Sequence, residues 1–260
     1  MKGPWGFGKT LAALSFAVEG PVYLSYWDKK APIEALQFFK KHRPDLIRNI
    51  EYDVFGANNA IDYLNKMIAL SKDCPYIAVV NDSVTNMTSA AVNWSLSYRD
   101  SKKKEKLIPD FDEYKVETSI VTQALDICGT LPCHVIWTAH PIPSLKVEGA
   151  GTTIRVSKVN NIVTYGSKVA GIIPGKFSEI YHFSKLSNWN AADGKSSIRY
   201  LVATEAVGDD YAKSNIGLSG DLDITDKLFY EVWKEAIKQM EVKPPEPTIA
   251  PSVITSPKWK

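Results

Sequence analysis

The amino-terminal residues have the types and the spacing of a phosphate-binding loop. Gly3 is followed by four residues and then by Gly8-Lys9-Thr10. Glycines let consecutive main-chain N–H groups converge on phosphate oxygens, a conformation that a Cβ atom hinders. Lys9 would contact the β- and γ-phosphates of ATP, and the Thr10 hydroxyl would hold Mg²⁺. The residues predicted to bind the nucleotide are Gly3, Pro4, Trp5, Gly6, Phe7, Gly8, Lys9 and Thr10.

An apolar run with helical spacing, residues 11–18, follows this loop. The helix that it predicts would direct the positive end of its dipole at the bound anion. A loop of this type follows a buried β-strand, whereas only Met1 and Lys2 precede Gly3. Either the chain begins late or the protein dispenses with that strand, so we expect the first strand of the fold to be missing.

Two polar residues follow apolar runs that are typical of buried strands. Asp82 comes after the run 76–80, and His140 comes after the run 134–138. Ligands of parallel sheets bind beyond the carboxyl ends of the strands, which would place both residues near the loop. Asp82 would bind Mg²⁺ together with Thr10, or it would only cap the next helix. His140 would sense the γ-phosphate through a hydrogen bond, or it would only bond a main-chain carbonyl.

Hydrolysis of ATP also requires a group that polarises the attacking water. Asp28 lies just beyond the predicted strand 21–27, at the same edge of the sheet. Glu34 is the other candidate, although it falls within a predicted helix. The candidate catalytic residues are therefore Lys9, Asp28, Asp82 and His140.

Positive charge is concentrated in two segments. Residues 99–106 carry five cations against two acidic residues, and residues 141–176 carry five against one. Such clusters, with Tyr98 and Tyr165 nearby, suit a nucleic-acid backbone, although surface charge also serves solubility. The candidate nucleic-acid contacts are Arg99, Lys102, Lys103, Lys104, Lys106, Lys146, Arg155, Lys158 and Lys168.

Strands and helices must alternate to position these residues. The predicted strands cover residues 21–27, 52–55, 76–80 and 134–138, and the predicted helices between them cover 32–42, 57–72, 84–96 and 111–128. This order implies an α/β fold with a mostly parallel sheet and helices on both faces.

The carboxyl-terminal half is predicted to be less regular. Residues 141–176 have little periodicity and are interpreted as a long loop. The pattern then predicts a hairpin from strands at 178–185 and 196–204, and a helix at 226–240. We assign residues 1–241 to one domain and residues 242–260 to a Pro-rich, disordered tail that would recruit a protein partner or remain solvated.

The composition is that of an ordinary globular protein. Of its 260 residues, 45% are apolar and 23% are charged, and the net charge is +2. The three cysteines lack metal or disulfide spacing, which indicates a reducing compartment. No apolar run has the length of a membrane span or of a signal peptide. These features predict a cytoplasmic protein without membrane contact.

Together, the motifs resemble those of the RecA superfamily of P-loop ATPases. Residues 79–85, Val-Val-Asn-Asp-Ser-Val-Thr, resemble the Asp-Ser Walker B motif of that superfamily, and Thr138-Ala139-His140 is similar to the sensor of RecA and RadA proteins. The order of motifs over residues 3–205 resembles that of small phage ATPases that act in single-strand annealing or recombination.

This resemblance implies an ATPase that binds single-stranded DNA and assembles as a homo-oligomer. Residues 99–110 and 141–176 would correspond to the two DNA-binding loops, and ATP would lie between neighbouring subunits. A cation of the adjacent subunit, Lys185 or Arg199, would complete the site. Trp27-Asp28 stands where the family has a glutamate, which implies slow hydrolysis.

Two other function classes fit the same loop. A nucleotide-dependent structural or packaging-associated protein would use the basic segments for acidic protein partners. A small-molecule kinase would need an arginine-rich lid, and residues 141–176 contain a single arginine, Arg155. We therefore rank the kinase last.

Overall fold

The computed structural model describes residues 1–28, 32–99, 108–148, 155–164, 166–190, 195–206 and 212–242. Its strands are β1 Val22–Tyr26, β2 Ile50–Val54, β3 Ala78–Asp82, β4 His134–Trp137, β5 Pro141–Glu148, β6 Arg155–Ile162, β7 Glu179–Ile180, β8 His182–Asn190, β9 Lys195–Ala203, β10 Lys213–Ser214 and β11 Asp221–Asp223. Its α-helices are α1 Lys9–Leu14, α2 Ile33–His42, α3 Pro44–Ile47, α4 Ala60–Lys72, α5 Val84–Ser97, α6 Phe111–Cys128, α7 Ser167–Ile172 and α8 Phe229–Val242. Short 3₁₀ turns cover Ser15–Val18, Ala57–Asn59 and Ile173–Lys176.

A four-stranded parallel sheet in the order β2-β1-β3-β4 forms the centre of the fold. Val22 pairs with Ala78 and Ala78 pairs with His134, so the strands start in line and their carboxyl ends share one edge. β3 is buried along its whole length, as expected for a parallel strand covered on both faces. The predicted α/β fold with a mostly parallel sheet is confirmed.

Helices lie on both faces of this sheet and bury two apolar clusters. On one face, α4, α5 and α6 contribute Tyr63, Met67, Met87 and Val121. On the other face, α1, the turn after it and α8 contribute Leu14, Phe16 and Phe229. Helical spacing of apolar residues predicted these helices because residues three or four positions apart share one side of a helix.

The first three residues occupy a strand position beside β4. Lys2 forms parallel bridges to Ala139 on one side and to His182 on the other. The Lys2 N–H donates a hydrogen bond to the Tyr181 carbonyl at 2.8 Å, and the Ala139 N–H donates one to the Met1 carbonyl at 2.9 Å. Residues 1–3 therefore stand where the strand before a phosphate-binding loop is expected.

The prediction of one long loop over residues 141–176 is wrong. β5 and β6 pair antiparallel from Pro141 opposite Ile162 to Glu148 opposite Arg155, and α7 follows them. The ladder comes from cross-strand pairing between residues that are distant in sequence. Local periodicity therefore did not indicate it. The predicted β8–β9 hairpin is confirmed, with His182 opposite Ala203.

Three parts of the predicted organisation lie outside the described residues. They are most of the first basic segment (100–107), residues 149–154 between β5 and β6, and residues 243–260 of the Pro-rich tail. Among the residues that the structure does describe, no helix has both the length and the apolar character needed to cross a bilayer.

Candidate functional site

The predicted phosphate-binding loop lies at the carboxyl edge of the sheet, between residues 1–3 and α1. Gly6 and Gly8 have φ angles of 74° and 81°, a left-handed conformation that residues with a Cβ atom rarely adopt. α1 begins at Lys9, immediately after Gly8. The N–H groups of its first turn have no partner within the helix, so they are available to an anion in the loop.

Lys9 is buried and bonded to its own loop. Its ammonium donates hydrogen bonds to the carbonyls of Gly3 at 2.7 Å and Pro4 at 2.8 Å, and Nζ lies 3.3 Å from Nδ1 of His140. Burial lowers the pKa of Lys9 to about 8, although the nearby Asp82 carboxylate acts in the opposite direction. Because burial removes the ammonium from water, contact with a bound anion would stabilise its charged form.

Asp82 connects the loop to the sheet. Its Oδ2 accepts a hydrogen bond from the Thr10 hydroxyl at 2.5 Å, and its Oδ1 accepts one from the Thr138 hydroxyl. Burial raises the pKa of Asp82, and the two hydroxyl groups oppose that shift. Ser83, not Asp82, caps α5, because its side chain accepts from the Asn86 N–H. The helix-capping alternative for Asp82 is therefore wrong.

His140 lies beside Lys9, three residues after the end of β4. Burial, followed by the charge of Lys9, lowers the pKa of His140 to about 4. The neutral ring can therefore accept a hydrogen bond from Lys9 through Nδ1. Trp5 stacks on the ring with centroids 4.7 Å apart and planes inclined by 28°. The His140 N–H donates to Thr85, and its carbonyl accepts from Val163, just after β6.

These side chains surround one cavity of about 670 Å³. Asp28 and Glu34, the two candidates for polarising water, both line it. Sequence reasoning missed the Thr138 partner of Asp82. It also missed the other residues that line the cavity, which are Leu11, Tyr26, Pro32, Ala35, Phe38 and Asn86. The sequence could have indicated Thr138, because alternate residues of an extended chain face the same side and Thr138 lies two positions before His140.

The oxygen atoms at the cavity wall fit a magnesium ion. One carboxylate, Asp82, and one hydroxyl, Thr10, lie side by side, and Mg²⁺ prefers such hard ligands together with water and phosphate oxygens. Within the described ranges, no cluster of three or more His, Cys, Asp or Glu residues could hold a metal by itself. Magnesium at Asp82 and Thr10 would thus depend on a phosphate ligand.

Comparison with protein-family models and with curated proteins finds no match for this chain. Of the residues that the sequence predicted for the site, 5–10, Asp28, Asp82 and His140 line the cavity. Their convergence at one edge of the sheet is a property of the tertiary structure, since they span more than a hundred positions of the chain.

Arg99 is buried in an ion pair, unlike the exposed cation expected of a nucleic-acid contact. It is 6% exposed, and its guanidinium donates hydrogen bonds to both carboxylate oxygens of Glu113, at 2.9 Å for Oε1. It also donates to the Ile108 carbonyl at 3.1 Å. The pairing holds the pKa of Glu113 at about 2. Arg99 therefore fixes the two ends of the segment 100–107 to each other.

The other candidate nucleic-acid contacts have different settings. Lys102, Lys103, Lys104 and Lys106 lie outside the described residues. Lys146 and Lys158 belong to β5 and β6, opposite Ser157 and Leu145 respectively, and Arg155 begins β6 opposite Glu148. Lys168 is exposed in α7.

The two candidate cations for a neighbouring subunit lie on the β8–β9 hairpin. Arg199 donates hydrogen bonds from Nε and Nη2 to Asp223, at 3.0 and 2.7 Å. Lys185 is exposed, and its ammonium lies 5.9 Å from the centroid of the Tyr200 ring. Arg199 would have to break its ion pair with Asp223 in order to reach another subunit, which makes Lys185 the better candidate.

Proposed function

We propose that the protein binds ATP at residues 3–10 and hydrolyses it. The observation that carries this proposal is the hydrogen bond between Thr10 of the loop and Asp82 of β3, beside the buried ammonium of Lys9. A phosphate site needs main-chain donors, a cation and a metal ligand at one place. This cavity has all three.

Each side chain has a separate task in this proposal. Lys9 leaves the carbonyls of Gly3 and Pro4 and binds the β- and γ-phosphates. Thr10 and Asp82 hold Mg²⁺, which neutralises phosphate charge. Asp28, at the cavity wall, orients the attacking water, and Glu34 is the alternative for this task. His140 bonds the γ-phosphate in place of Lys9 and, through its own main chain, connects the site to β5 and β6.

Replacement of Lys9 by alanine tests ATP binding. We expect Lys9→Ala to weaken ATP affinity about a hundredfold, since a desolvated charge-assisted hydrogen bond contributes about 2–3 kcal/mol. Lys238→Ala, an exposed lysine of α8, is the matched control. Titration with a labelled ATP analogue measures both. Equal affinities for Lys9→Ala and the parent would refute the nucleotide site.

We also propose that the protein binds single-stranded DNA. Tyr98 and Phe111 border the lysine-rich segment 100–107, and they are 74% and 72% exposed. Ile108, between that segment and α6, is 78% exposed. Exposed aromatic rings that are close in sequence to lysines suit bases that stack while the backbone contacts cations. These exposed rings are the observation that favours nucleic acid over an acidic protein partner.

ATP turnover with and without single-stranded DNA distinguishes the function classes. A DNA-dependent ATPase of this type would hydrolyse ATP faster in the presence of an oligonucleotide, and its rate per subunit would rise with protein concentration if Lys185 of a neighbouring copy completes the site. Turnover unaffected by DNA would favour the structural or packaging-associated class. Phosphate transfer to a small acceptor would indicate the kinase.

A further inference from the structure

Two cysteine thiols meet near the amino-terminal ends of β3 and β4, at the opposite end of these strands from the proposed ATP site. Cys74 lies between α4 and β3, and Cys133 directly precedes β4. Their Sγ atoms are 3.7 Å apart, although the two residues are 59 positions apart in the chain. The proposed ATP cavity is lined by other residues. A chemical role for these two thiols is therefore separate from the proposed ATPase.

Strand pairing holds the two cysteines next to each other. The His134 N–H, which follows Cys133, donates to the carbonyl of Ile77, just before β3, at 2.9 Å. On the other segment, the Cys74 thiol lies 3.6 Å from the Tyr76 carbonyl, which keeps this side chain close to its own strand. The contact between the two sulfur atoms is therefore set by the pairing of β3 with β4, and it lasts as long as these strands are paired.

A disulfide, and not a metal ion, is the bond that this pair suits. Protein sites for zinc use three or four side-chain ligands. In the part of the chain that the structure describes, no cluster of three or more His, Cys, Asp or Glu residues could hold a metal. Two sulfur atoms 3.7 Å apart need to approach by only about 1.7 Å to reach bonding distance, and rotation about the Cα–Cβ bonds can provide this movement.

The third cysteine lies in a different environment. Cys128 is 0% exposed, and its Sγ lies 3.5 Å from the Tyr63 hydroxyl and 3.9 Å from Nδ2 of Asn81. Cys74 and Cys133 are both partly exposed. Because a reagent in solution must reach a sulfur atom in order to oxidise it, Cys74 and Cys133 are the reactive pair and Cys128 is protected.

Within the pair, Cys133 is the thiol that reacts second. Burial, followed by the neighbouring Cys74 sulfur, raises the pKa of Cys133 to about 12. The Cys133 thiol therefore keeps its proton at neutral pH, and a protonated thiol is not the nucleophile. Cys74 is left to attack an oxidant first. Once Cys74 has reacted, its charge no longer opposes ionisation of Cys133, which lies close enough to attack the product.

We propose that Cys74 and Cys133 are a redox-sensitive pair, which a low-molecular-weight disulfide such as oxidised glutathione converts into an intramolecular disulfide. The Cys74 thiolate attacks one sulfur of the small disulfide, whose S–S bond breaks, so that a mixed disulfide forms and one small thiolate leaves. Cys133 then loses its proton to water and attacks Sγ of Cys74, and the second small thiolate leaves. The two cysteines lose two electrons and two protons, and the oxidant takes them up as two thiols.

The disulfide joins the starts of two strands that lead to the proposed ATP site. β3 ends at Asp82, and the chain reaches His140 three residues after the end of β4. A cross-link across 59 positions reduces the conformational entropy of the unfolded chain. The oxidised protein therefore unfolds at a higher temperature than the reduced protein.

Incubation of the full chain with oxidised glutathione tests this proposal without nucleotide. Alkylation of the denatured protein counts the free thiols, and mass spectrometry of non-reduced peptides identifies the linked residues. We expect two of the three thiols to be lost, a linkage between Cys74 and Cys133 within one chain, and a Tm about 5 °C or more above that of the reduced protein. Dithiothreitol should reverse all three changes.

Cysteine variants identify the two partners. Cys133→Ser should stop at a glutathione adduct on Cys74 with no rise in Tm, whereas Cys128→Ala, the matched control, should still form the linkage. Three free thiols after the incubation would overturn the proposal, and so would a linkage through Cys128 or between two chains. An unchanged or lower Tm of the cross-linked chain would also overturn it. ATP takes no part in these measurements, so a failure of the proposed ATP site leaves this test intact.

Discussion

At the scale of single residues, the site is a set of buried charges held by short-range partners. Lys9 is bonded to carbonyls of its own loop, and Asp82 is bonded to two hydroxyl groups. Both are buried, so each has a cost of desolvation that a ligand of opposite charge would offset. Binding of phosphate by Lys9 and of Mg²⁺ by Asp82 would stabilise the same small region.

Replacement of Asp82 by asparagine separates metal binding from stability. We expect Asp82→Asn to weaken ATP binding in Mg²⁺ at least about tenfold, because one carboxylate ligand is lost. We expect Tm to be unchanged or higher, since burial raises the pKa of Asp82 and thus opposes its ionised form. Isothermal titration and thermal unfolding measure these effects, with Asp62→Asn on the exposed side of α4 as control. A large fall in Tm would contradict this account of the site.

The pH dependence of stability reports on His140. Its pKa is lowered from 6.5 to about 4 in the folded chain, first by burial and then by Lys9. The unfolded chain therefore takes up a proton between pH 6.5 and pH 4 that the folded chain does not. The free energy of unfolding should fall across this window as the pH is lowered, by roughly 1–2 kcal/mol after allowing for partial contact with solvent.

Urea unfolding at several pH values measures that decrease. In His140→Asn, the curve of stability against pH should be flatter between pH 6.5 and pH 4, and the difference in stability between the two proteins should be constant above pH 7. A parallel pair of curves would show that His140 does not titrate in this way.

At the scale of elements, the ends of strands and helices decide which side chains meet. β1, β3 and β4 start in register, so residues that follow them arrive at one edge. α5 and α6 are fixed at their near ends by Arg99, which donates to Glu113 of α6 and to the Ile108 carbonyl. A buried ion pair thus joins Arg99 and Glu113, and the lysines 102, 103, 104 and 106 lie between these two residues in the sequence.

Replacement of Arg99 by alanine should act on stability and not on charge-dependent DNA binding. Loss of one partner leaves the Glu113 carboxylate buried without its cation, so we expect Tm to fall by roughly 5–10 °C. The slope of log affinity for an oligonucleotide against log salt should not change, because Arg99 contacts no phosphate. Glu113→Gln should reproduce much of the loss in Tm. A salt slope reduced by about one would restore Arg99 as a DNA contact.

At the scale of the whole molecule, two sheets meet at residues 1–3. The parallel sheet carries the proposed ATP site, and the antiparallel sheet of β8, β9 and β11 carries Lys185 and Arg199. The main-chain bonds at Lys2 connect the two, so the loop that follows is supported from both sides. Tyr98 and Phe111, which are both exposed, precede and follow the lysine-rich segment 100–107 in the chain.

The contribution of base stacking on these two rings can be distinguished from the contribution of charge to DNA binding. We expect Tyr98→Ala and Phe111→Ala each to weaken binding of a single-stranded oligonucleotide by about 5- to 100-fold, since stacking on one ring contributes about 1–3 kcal/mol per base. The salt slope should stay constant, because no cation is removed. Tyr52→Ala, a partly exposed tyrosine of β2, is the control. Unchanged affinity in both variants, measured by fluorescence anisotropy, would exclude base stacking there.

Local patterns were sufficient to predict much of the fold and the centre of the site. The spacing of Gly3, Gly8 and Lys9 predicts a phosphate-binding loop because all residues of that motif lie within eight consecutive positions. Continuous apolar runs predicted β1, β3 and β4 because a parallel strand is buried on both faces. Asp82 and His140 were predicted from their positions after such runs. All of these signals depend on neighbours in the chain.

Long-range pairing determined the rest. The β5–β6 ladder, the burial of Arg99 by Glu113, the contact of Thr138 with Asp82 and the position of residues 1–3 between two sheets each join distant parts of the chain. Lysine and arginine residues look alike in a basic segment, and only the presence of a buried carboxylate distinguishes a structural cation from an exposed one.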